Sequence, residues 1–154
     1  MAEPGVSGTI SVERVTSVTT ELVRALQRLV PQLTDNHPPP SQDDLRGLLS
    51  GGNNTLLVAR DQSQNRQIVG AGSLGTYRVP TGVRAVIEDV VVDQAHRGLG
   101  VGEALMRALL DVARESGAPG VSLTSSPGRQ AANRLYQRLG FTVRSTNSYY
   151  YRFR

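Results

Sequence analysis

Three glycines at alternate positions, Gly98, Gly100 and Gly102, separate an apolar run from a helical pattern. The run before them, residues 86–92, is rich in β-branched side chains, which favour a buried strand. Residues 103–113 repeat apolar side chains at helical spacing and predict an amphipathic helix. A helix start has N–H groups without intrahelical acceptors and a partial positive charge, and glycine leaves its main chain open to a ligand. The pattern therefore predicts a phosphate-binding turn.

Two common phosphate-binding motifs do not fit this turn. A Walker loop requires a lysine after its second glycine, and this chain contains no lysine. A dinucleotide fingerprint requires Gly-x-Gly-x-x-Gly and an acid at the end of the next strand. The next predicted strand, residues 121–125, carries no acid, so we do not expect a nicotinamide or flavin enzyme.

Two motifs together carry a resemblance to a known family. Arg97, Gly100 and Gly102 fill the pattern Arg/Gln-x-x-Gly-x-Gly/Ala, and Asn133 and Tyr136 are followed by Gly140-Phe141. In both blocks and in their order, the chain resembles the GNAT superfamily of acetyl-CoA-dependent N-acetyltransferases. The resemblance is sharpest over residues 83–144.

The elements that must position these motifs follow from periodicity and breakers. Strands are predicted over 9–15, 55–60, 68–77, 86–92, 121–125, 141–144 and 148–153, and helices after Ser17 or Thr19, after Ser41, over 103–113 and around 133–136. The glycines of 68–77 indicate a bulge or a close backbone approach. The order β-α-α-β-β-β-α-β-α-β-β is that of the GNAT fold, an α/β (α+β) class. It has a mixed, mostly antiparallel sheet of about seven strands flanked by four helices.

A single N-acetyltransferase domain over residues 9–154 is predicted, after a flexible N-terminal tail of residues 1–8. The tail lacks the basic start and apolar core of a signal peptide. No apolar run approaches the ~20 residues that span a bilayer, so we expect no membrane partner.

Composition narrows the chemistry further. The absence of cysteine excludes disulfides, thiolate metal sites and a cysteine nucleophile, and suits a cytoplasmic location. His37 and His96 are far apart in sequence, so no metal site is expected. The net charge is +4, but the arginines are scattered among 13 acids, which disfavours nucleic acid binding.

The resemblance implies acetyl-CoA as co-substrate and assigns roles to particular residues. Glu88 is the candidate general base. The alternative is a structural role in which Glu88 forms an ion pair with an arginine. Asp89 points to the other face of the strand unless a bulge intervenes, and either acid can contact substrate. Tyr136 is the candidate general acid for the leaving thiolate, with a half-buried core tyrosine as the alternative. The implied cofactor-binding residues are Val90, Val91, Val92, Arg97, Gly98, Leu99, Gly100, Val101, Gly102, Asn133 and Tyr136.

The sequence thus predicts an acyltransferase that moves the acetyl group of acetyl-CoA to a primary amine of a small molecule. A protein N-terminal or lysine acetyltransferase, a nucleic-acid-directed acetyltransferase and a non-catalytic acetyl-CoA-binding module remain alternatives. A homodimer is also expected, because Tyr149, Tyr150 and Tyr151 fall in the predicted closing edge strand.

Overall fold

A computed structural model describes residues 9–154 of the chain, so the predicted tail 1–8 lies outside the described residues. The chain divides into two compact units, one ending at Leu123 and the other running over 124–154. The prediction of a single domain over 9–154 therefore stays a prediction. In the described residues no helix is long and apolar enough to cross a membrane.

The first unit is built on a four-stranded antiparallel sheet with the strand order β1-β2-β3-β4. Strands that are consecutive in this order are hydrogen-bonded to one another. The elements are β1 (Ile10–Arg14), α1 (Thr20–Leu33), α2 (Gln42–Ser50), β2 (Asn54–Asp61), β3 (Gln67–Val79), β4 (Gly82–Val92), a 3-10 turn (Gln94–His96) and α3 (Val101–Glu115), with α4 (Gln130–Arg138) in the second unit.

Helices cover the sheet on both faces. On one face α3 packs directly against β3, where a Cβ added to Gly70 would lie 3.0 Å from Leu105 Cδ1 and 3.1 Å from Val101 Cγ1. On the other face α1 and α2 contribute to a hydrophobic cluster with the sheet. Its fully buried members are Leu22, Ala25, Leu26, Leu29, Leu45, Leu56, Val58, Ile68, Ala71 and Val91. The sheet is thus buried between two helical layers, which fixes the register of every strand.

The predicted starts of α1 and α2 are confirmed by their caps. Thr19 Oγ1 accepts from Leu22 N at 3.1 Å, so Thr19 rather than Ser17 caps α1. Ser41 and Asp44 form a capping box at the start of α2. The hydrogen bond from the Ser41 backbone holds the pKa of the Asp44 carboxyl below its ordinary value.

The mixed fold class is confirmed, but the strand count is four rather than about seven. Of the predicted strand 121–125, the structure forms one parallel bridge, from Ser122 to Val86. Pro119-Gly120 before it and Pro127-Gly128 after it limit the length over which a ladder can form.

The predicted closing hairpin, 141–144 and 148–153, is absent from the described chain, where residues 141–154 have no regular secondary structure. Three consecutive tyrosines, Tyr149 to Tyr151, break the alternation that would place apolar side chains on a single face. Their exposed fractions are 80–88%, so this segment buries too little to hold a strand.

Candidate functional site

A β-bulge interrupts the pairing of β4 with β3. Ala71 faces Val91 and Ser73 faces Glu88, so the single residue Gly72 lies opposite two residues of β4. Those two residues are Asp89 and Val90, and Asp89 has a positive φ of 51°. A bulge therefore does intervene at Asp89, and its side chain need not point to the face opposite that of Glu88.

Two residues of β3 hold this bulge in place. A Cβ on Gly72 would lie 2.9 Å from Leu109 Cδ1 and 3.3 Å from Val90 Cγ2. Side chains of α3 and of the bulged strand therefore pack directly against the backbone of Gly72. The Ser73 hydroxyl donates to the Glu88 carbonyl at 3.1 Å and fixes the residue that precedes the bulge. The bulge expected from the glycines of β3 is confirmed. The hydrogen bond from Ser73 to the Glu88 carbonyl had no signal in the sequence.

The bulge decides which way the acids face. Glu88 is paired with Ser73, and Val91 with Ala71 of the cluster beneath α1, so Glu88 and Val91 lie on the same face despite their odd spacing. Glu88 and Asp89 are both exposed. Two carboxylates are thus presented to solvent at the irregular point of β4.

The outer edge of β4 is open beyond the bulge. Ser122 accepts from Ile87 N at 2.9 Å and donates to the Ala85 carbonyl at 3.1 Å. β4 ends the strand order, and in the part of the chain that the structure describes this bridge is its one neighbour on that edge. An edge of this kind can pair with the amide groups of an extended ligand. Val90, Val91 and Val92 lie along it.

The strand leads into the predicted glycine turn. Gly98 and Gly100 have positive φ values of 77° and 83°. A Cβ on Gly98 would meet nothing within 4 Å, and Leu99 is 55% exposed, so the turn is open to a ligand. The Arg97 Nε donates to the Val92 carbonyl at 3.2 Å and braces the turn against the end of β4.

The first turn of α3 has the features of an anion site. Gly100 is its N-cap and provides no side-chain cap, so the amides of Val101 and Gly102 begin the helix without a capping oxygen. Val101 itself is buried and anchors this first turn in the core. Glu103 also lies in this turn, and its charge is compensated by Arg107, whose Nη2 is 2.9 Å from Glu103 Oε1.

The second unit contains Asn133 and Tyr136, three residues apart on α4 and so on neighbouring positions of the helix surface. Asn133 Nδ2 donates to the Ser126 carbonyl at 3.0 Å. The Tyr136 ring lies 5.9 Å from that of Phe141, and Phe141 N donates to the Tyr136 carbonyl at 3.0 Å. Phe141, which follows the C-terminal end of α4, therefore packs against the Tyr136 ring and bonds to its backbone.

Burial raises the pKa of the Tyr136 phenol above its ordinary value, with the charge of Arg129 acting in the opposite direction. A phenol in this environment stays protonated at neutral pH, as a proton donor must. The predicted residues are thus divided between the units: Glu88, Asp89, the valines and the glycine turn lie in the first unit, and Asn133 and Tyr136 in the second.

Known proteins are similar to this chain in sequence and in structure. The profile of a family described as Acetyltransferase (GNAT) family matches residues 22–141. Glucosamine 6-phosphate N-acetyltransferase of Trypanosoma brucei brucei is 42% identical over 78 residues, which cover 49% of this chain and 51% of that protein. The L-methionine sulfoximine/L-methionine sulfone acetyltransferase of Salmonella typhimurium (strain LT2) is 36% identical over 81 residues, 52% of this chain and 47% of that protein. The chain spans about half the length of these curated relatives.

Solved structures extend the likeness over nearly the whole chain. An aminoglycoside acetyltransferase from an uncultured soil metagenomic sample, in complex with sisomicin, superposes with a TM-score of 0.81 at 20% identity. The superposition covers 96% of this chain and 98% of that chain. At this level of identity the likeness shows the fold.

Proposed function

Because the chain belongs to the acetyltransferase (GNAT) family, we propose that it transfers the acetyl group of acetyl-CoA directly to a primary amine of a small molecule. The observation that carries the proposal is the bulge at Asp89 and Val90 together with the open glycine turn, which follows the end of the same strand. An open strand edge and an uncapped helix start in direct succession suit a long ligand with amide groups at one end and phosphates at the other.

The proposed cofactor contacts follow the order of the chain. The pyrophosphate of acetyl-CoA accepts from the amides of the turn, residues 97–102, with Arg97 beside it. The pantetheine amides pair with the main chain of residues 90–92. A main-chain N–H at the bulge then stabilises the oxyanion that forms on the acetyl carbonyl during transfer.

Two side chains are proposed to move protons. Glu88 accepts a proton from the ammonium group of the substrate, and the neutral amine then attacks the acetyl carbonyl. Tyr136 donates its phenolic proton to the sulfur of CoA as the carbon–sulfur bond breaks. The raised pKa of Tyr136 keeps the phenol protonated at neutral pH, so its proton is available when the carbon–sulfur bond breaks.

A small cationic amine is the proposed acceptor. The two relatives named above are described by glucosamine 6-phosphate and by methionine sulfoximine or sulfone, which are small amine compounds. Glu88 and Asp89 present two exposed carboxylates beside the bulge, and this charge favours a cationic acceptor. Asp89 is therefore proposed to contact substrate together with Glu88.

A panel of amines with acetyl-CoA, read as release of free CoA thiol, tests the proposal. Amino sugars, their phosphates, amino acids, aminoglycosides and a lysine-containing peptide should be compared at equal concentration. We expect thiol release with a small cationic amine and none with the peptide. Binding of acetyl-CoA by calorimetry without release on any amine would instead indicate a non-catalytic binding module.

Glu88→Gln tests the base separately. The variant should lose activity at neutral pH and recover part of it as pH rises, because the free amine then forms without help. Asp89→Asn is the matched control: it removes the neighbouring carboxylate and should change KM for the amine more than the pH profile. A Glu88→Gln rate that falls equally at every pH would identify water, and not Glu88, as the proton acceptor.

A further inference from the structure

A polar cavity lies at the end of the first unit that is remote from the glycine turn. Its volume is about 710 Å³, within the range of sites for small organic ligands. It opens where β1 and β3 end, where β2 and β4 begin, and where α3 ends. The length of α3, about 22 Å, lies between the cavity and the turn. None of the lining residues is among those proposed to contact acetyl-CoA or the acceptor amine, and all belong to the first unit.

The cavity exists because α3 covers only part of the length of β3. Leu105 packs beside Gly70 and Leu109 beside Gly72, so one turn of α3 advances two residues along β3. The two distances agree, since a helix rises about 1.5 Å per residue and a strand about 3.3 Å. On this scale α3 ends before β3 does. The last residues of β3, 77–79, therefore extend past the helix and leave a space beside its C-terminal end.

Two arginines line this space without an ion-pair partner among the described residues. Arg14, at the end of β1, donates from Nη2 to Thr55 Oγ1 at 2.7 Å. Thr55 is 8% exposed, so a buried hydroxyl holds this guanidinium at the cavity. Arg78, near the end of β3, is exposed and has no side-chain hydrogen bond within the described chain. Each guanidinium has five N–H donors, and carboxylate or phosphate oxygens are the acceptors that match their geometry.

The remaining lining is mostly polar and contains a single carboxylate. Glu115, at the end of α3, is exposed and has no ion pair with another described residue. Together with the two arginines it leaves the cavity with a net positive charge. The Asn53 carbonyl accepts from Thr76 N at 2.8 Å and from Thr76 Oγ1 at 3.3 Å, so the Asn53 side-chain amide is left for a ligand. Carboxylate and amide groups of this kind pair with hydroxyl groups.

We propose that this cavity is a second ligand site, and that its ligand is a small organic anion that also carries hydroxyl groups. The carboxylate or phosphate oxygens of the ligand accept from Arg14 and Arg78. Its hydroxyl groups pair with Glu115 and with the side-chain amide of Asn53. The site goes beyond the proposed acetyl transfer and does not depend on it.

Calorimetry with three related probes tests the site and identifies the anionic group. Gluconate and glucose 6-phosphate carry a carboxylate and a phosphate on similar hydroxylated carbon chains, and glucose has no charge. We expect at least one of the two anions to bind with a dissociation constant of about 1 mM, and glucose not to bind. Binding of gluconate alone or of glucose 6-phosphate alone assigns the site to carboxylates or to phosphates. Binding of neither anion up to about 10 mM, or equal binding of glucose, overturns the inference.

Variants at the two arginines locate the bound anion. Arg14→Gln and Arg78→Gln should each weaken its binding about tenfold, because each removes a charge-assisted hydrogen bond. Arg78→Gln removes no hydrogen bond of the described chain, so its folding is not at risk if Arg14→Gln unfolds. Arg114→Gln is the matched control at the same end of α3. Arg114 does not line the cavity and pairs with Asp111 at 2.8 Å, so this variant should keep the wild-type affinity.

Arg97→Gln separates the cavity from the glycine turn, which is also expected to attract anions. An anion in the cavity should bind Arg97→Gln as it binds the wild type. Loss of affinity in Arg97→Gln, with wild-type affinity in Arg14→Gln and Arg78→Gln, places the anion at the turn and overturns the inference. This outcome leaves the proposed acetyltransferase function intact, whereas binding in the cavity by a chain that transfers no acetyl group would contradict only that function.

Discussion

The two units of the chain treat their apolar residues in opposite ways. In the first unit every strand of the sheet pairs with a neighbour in the strand order, and helices bury both faces. In the second unit α4 buries Tyr136, whereas Val143, the tyrosines of 149–151 and Phe153 are 80–88% exposed. The comparison shows that an apolar run forms a strand where a paired neighbour and a covering helix exist. The proposed chemistry is divided in the same way. The proposed base Glu88 and the phosphate-binding turn lie in the first unit, and the proposed acid Tyr136 lies in the second.

The largest effect is expected from the second unit, at Tyr136→Phe. The change removes the phenolic proton and keeps the ring against Phe141, so kcat should fall about 10²–10⁴-fold while acetyl-CoA affinity is nearly unchanged. Steady-state kinetics with calorimetry on the same samples separates the two quantities.

The pH dependence of this prediction has a definite sign. Because burial raises the pKa of Tyr136, the wild-type donor is lost only above the ordinary tyrosine range, and kcat should not decline before it. Tyr150→Phe, at a side chain that is 86% exposed, is the control and should have wild-type kcat. If Tyr136→Phe turns over at the wild-type rate at every pH, the tyrosine is structural.

The next effect compares how much a buried side chain of the first unit and an exposed side chain of the second unit contribute to the free energy of unfolding. Leu105 is fully buried between α3 and β3, and Leu105→Ala should lower the free energy of unfolding by about 2–5 kcal/mol through lost contacts and a cavity. Phe153→Ala removes a larger side chain that is 88% exposed and should change it by less than about 0.5 kcal/mol. Equal losses in urea unfolding would mean that the exposed segment is packed in solution.

A smaller effect concerns the two ends of α3. Gly100 and Gly117 have nearly the same positive φ, 83° and 82°, so a valine at either position carries a similar backbone strain of about 1–2 kcal/mol. Gly100→Val should also weaken CoA binding about tenfold or more, because the side chain obstructs the amides of the turn. Gly102→Val should act in the same direction.

Gly117→Val should leave CoA affinity unchanged in the folded protein, since it lies after the C-terminal end of α3. Affinities that stay at the wild-type value in both Gly100→Val and Gly102→Val would remove the pyrophosphate from this turn.

Local signals predicted the first unit well because its structure follows from neighbours in the sequence. Residue type and spacing predict a cap at Ser17 or Thr19, a cap at Ser41, the hairpin strands and a helix over 103–113, and the structure has Thr19, Ser41 and a helix that begins at Val101. The pairing of Ser73 with Glu88 was not foreseen, because the register of two strands at a bulge depends on packing against α3. Nor was the contact of His96 with Asp61, which are 35 positions apart and have no shared motif.

The smallest effect on stability, and the most direct challenge to the comparison, is expected from the exposed aromatic segment 149–153. An exposed cluster of this kind favours association with a second copy of the chain, so we propose a homodimer that buries these side chains. The double variant Tyr149→Ser, Tyr151→Ser should change the free energy of unfolding of the monomer by less than about 0.5 kcal/mol, because neither side chain is buried within one chain. It should nevertheless shift the mass found by light scattering at micromolar concentration towards the 16.6 kDa monomer. A double change of Gln62 and Gln64 to serine, on the exposed β2–β3 turn, is the control and should keep the dimer. A wild type that scatters as a monomer throughout this range would contradict the homodimer.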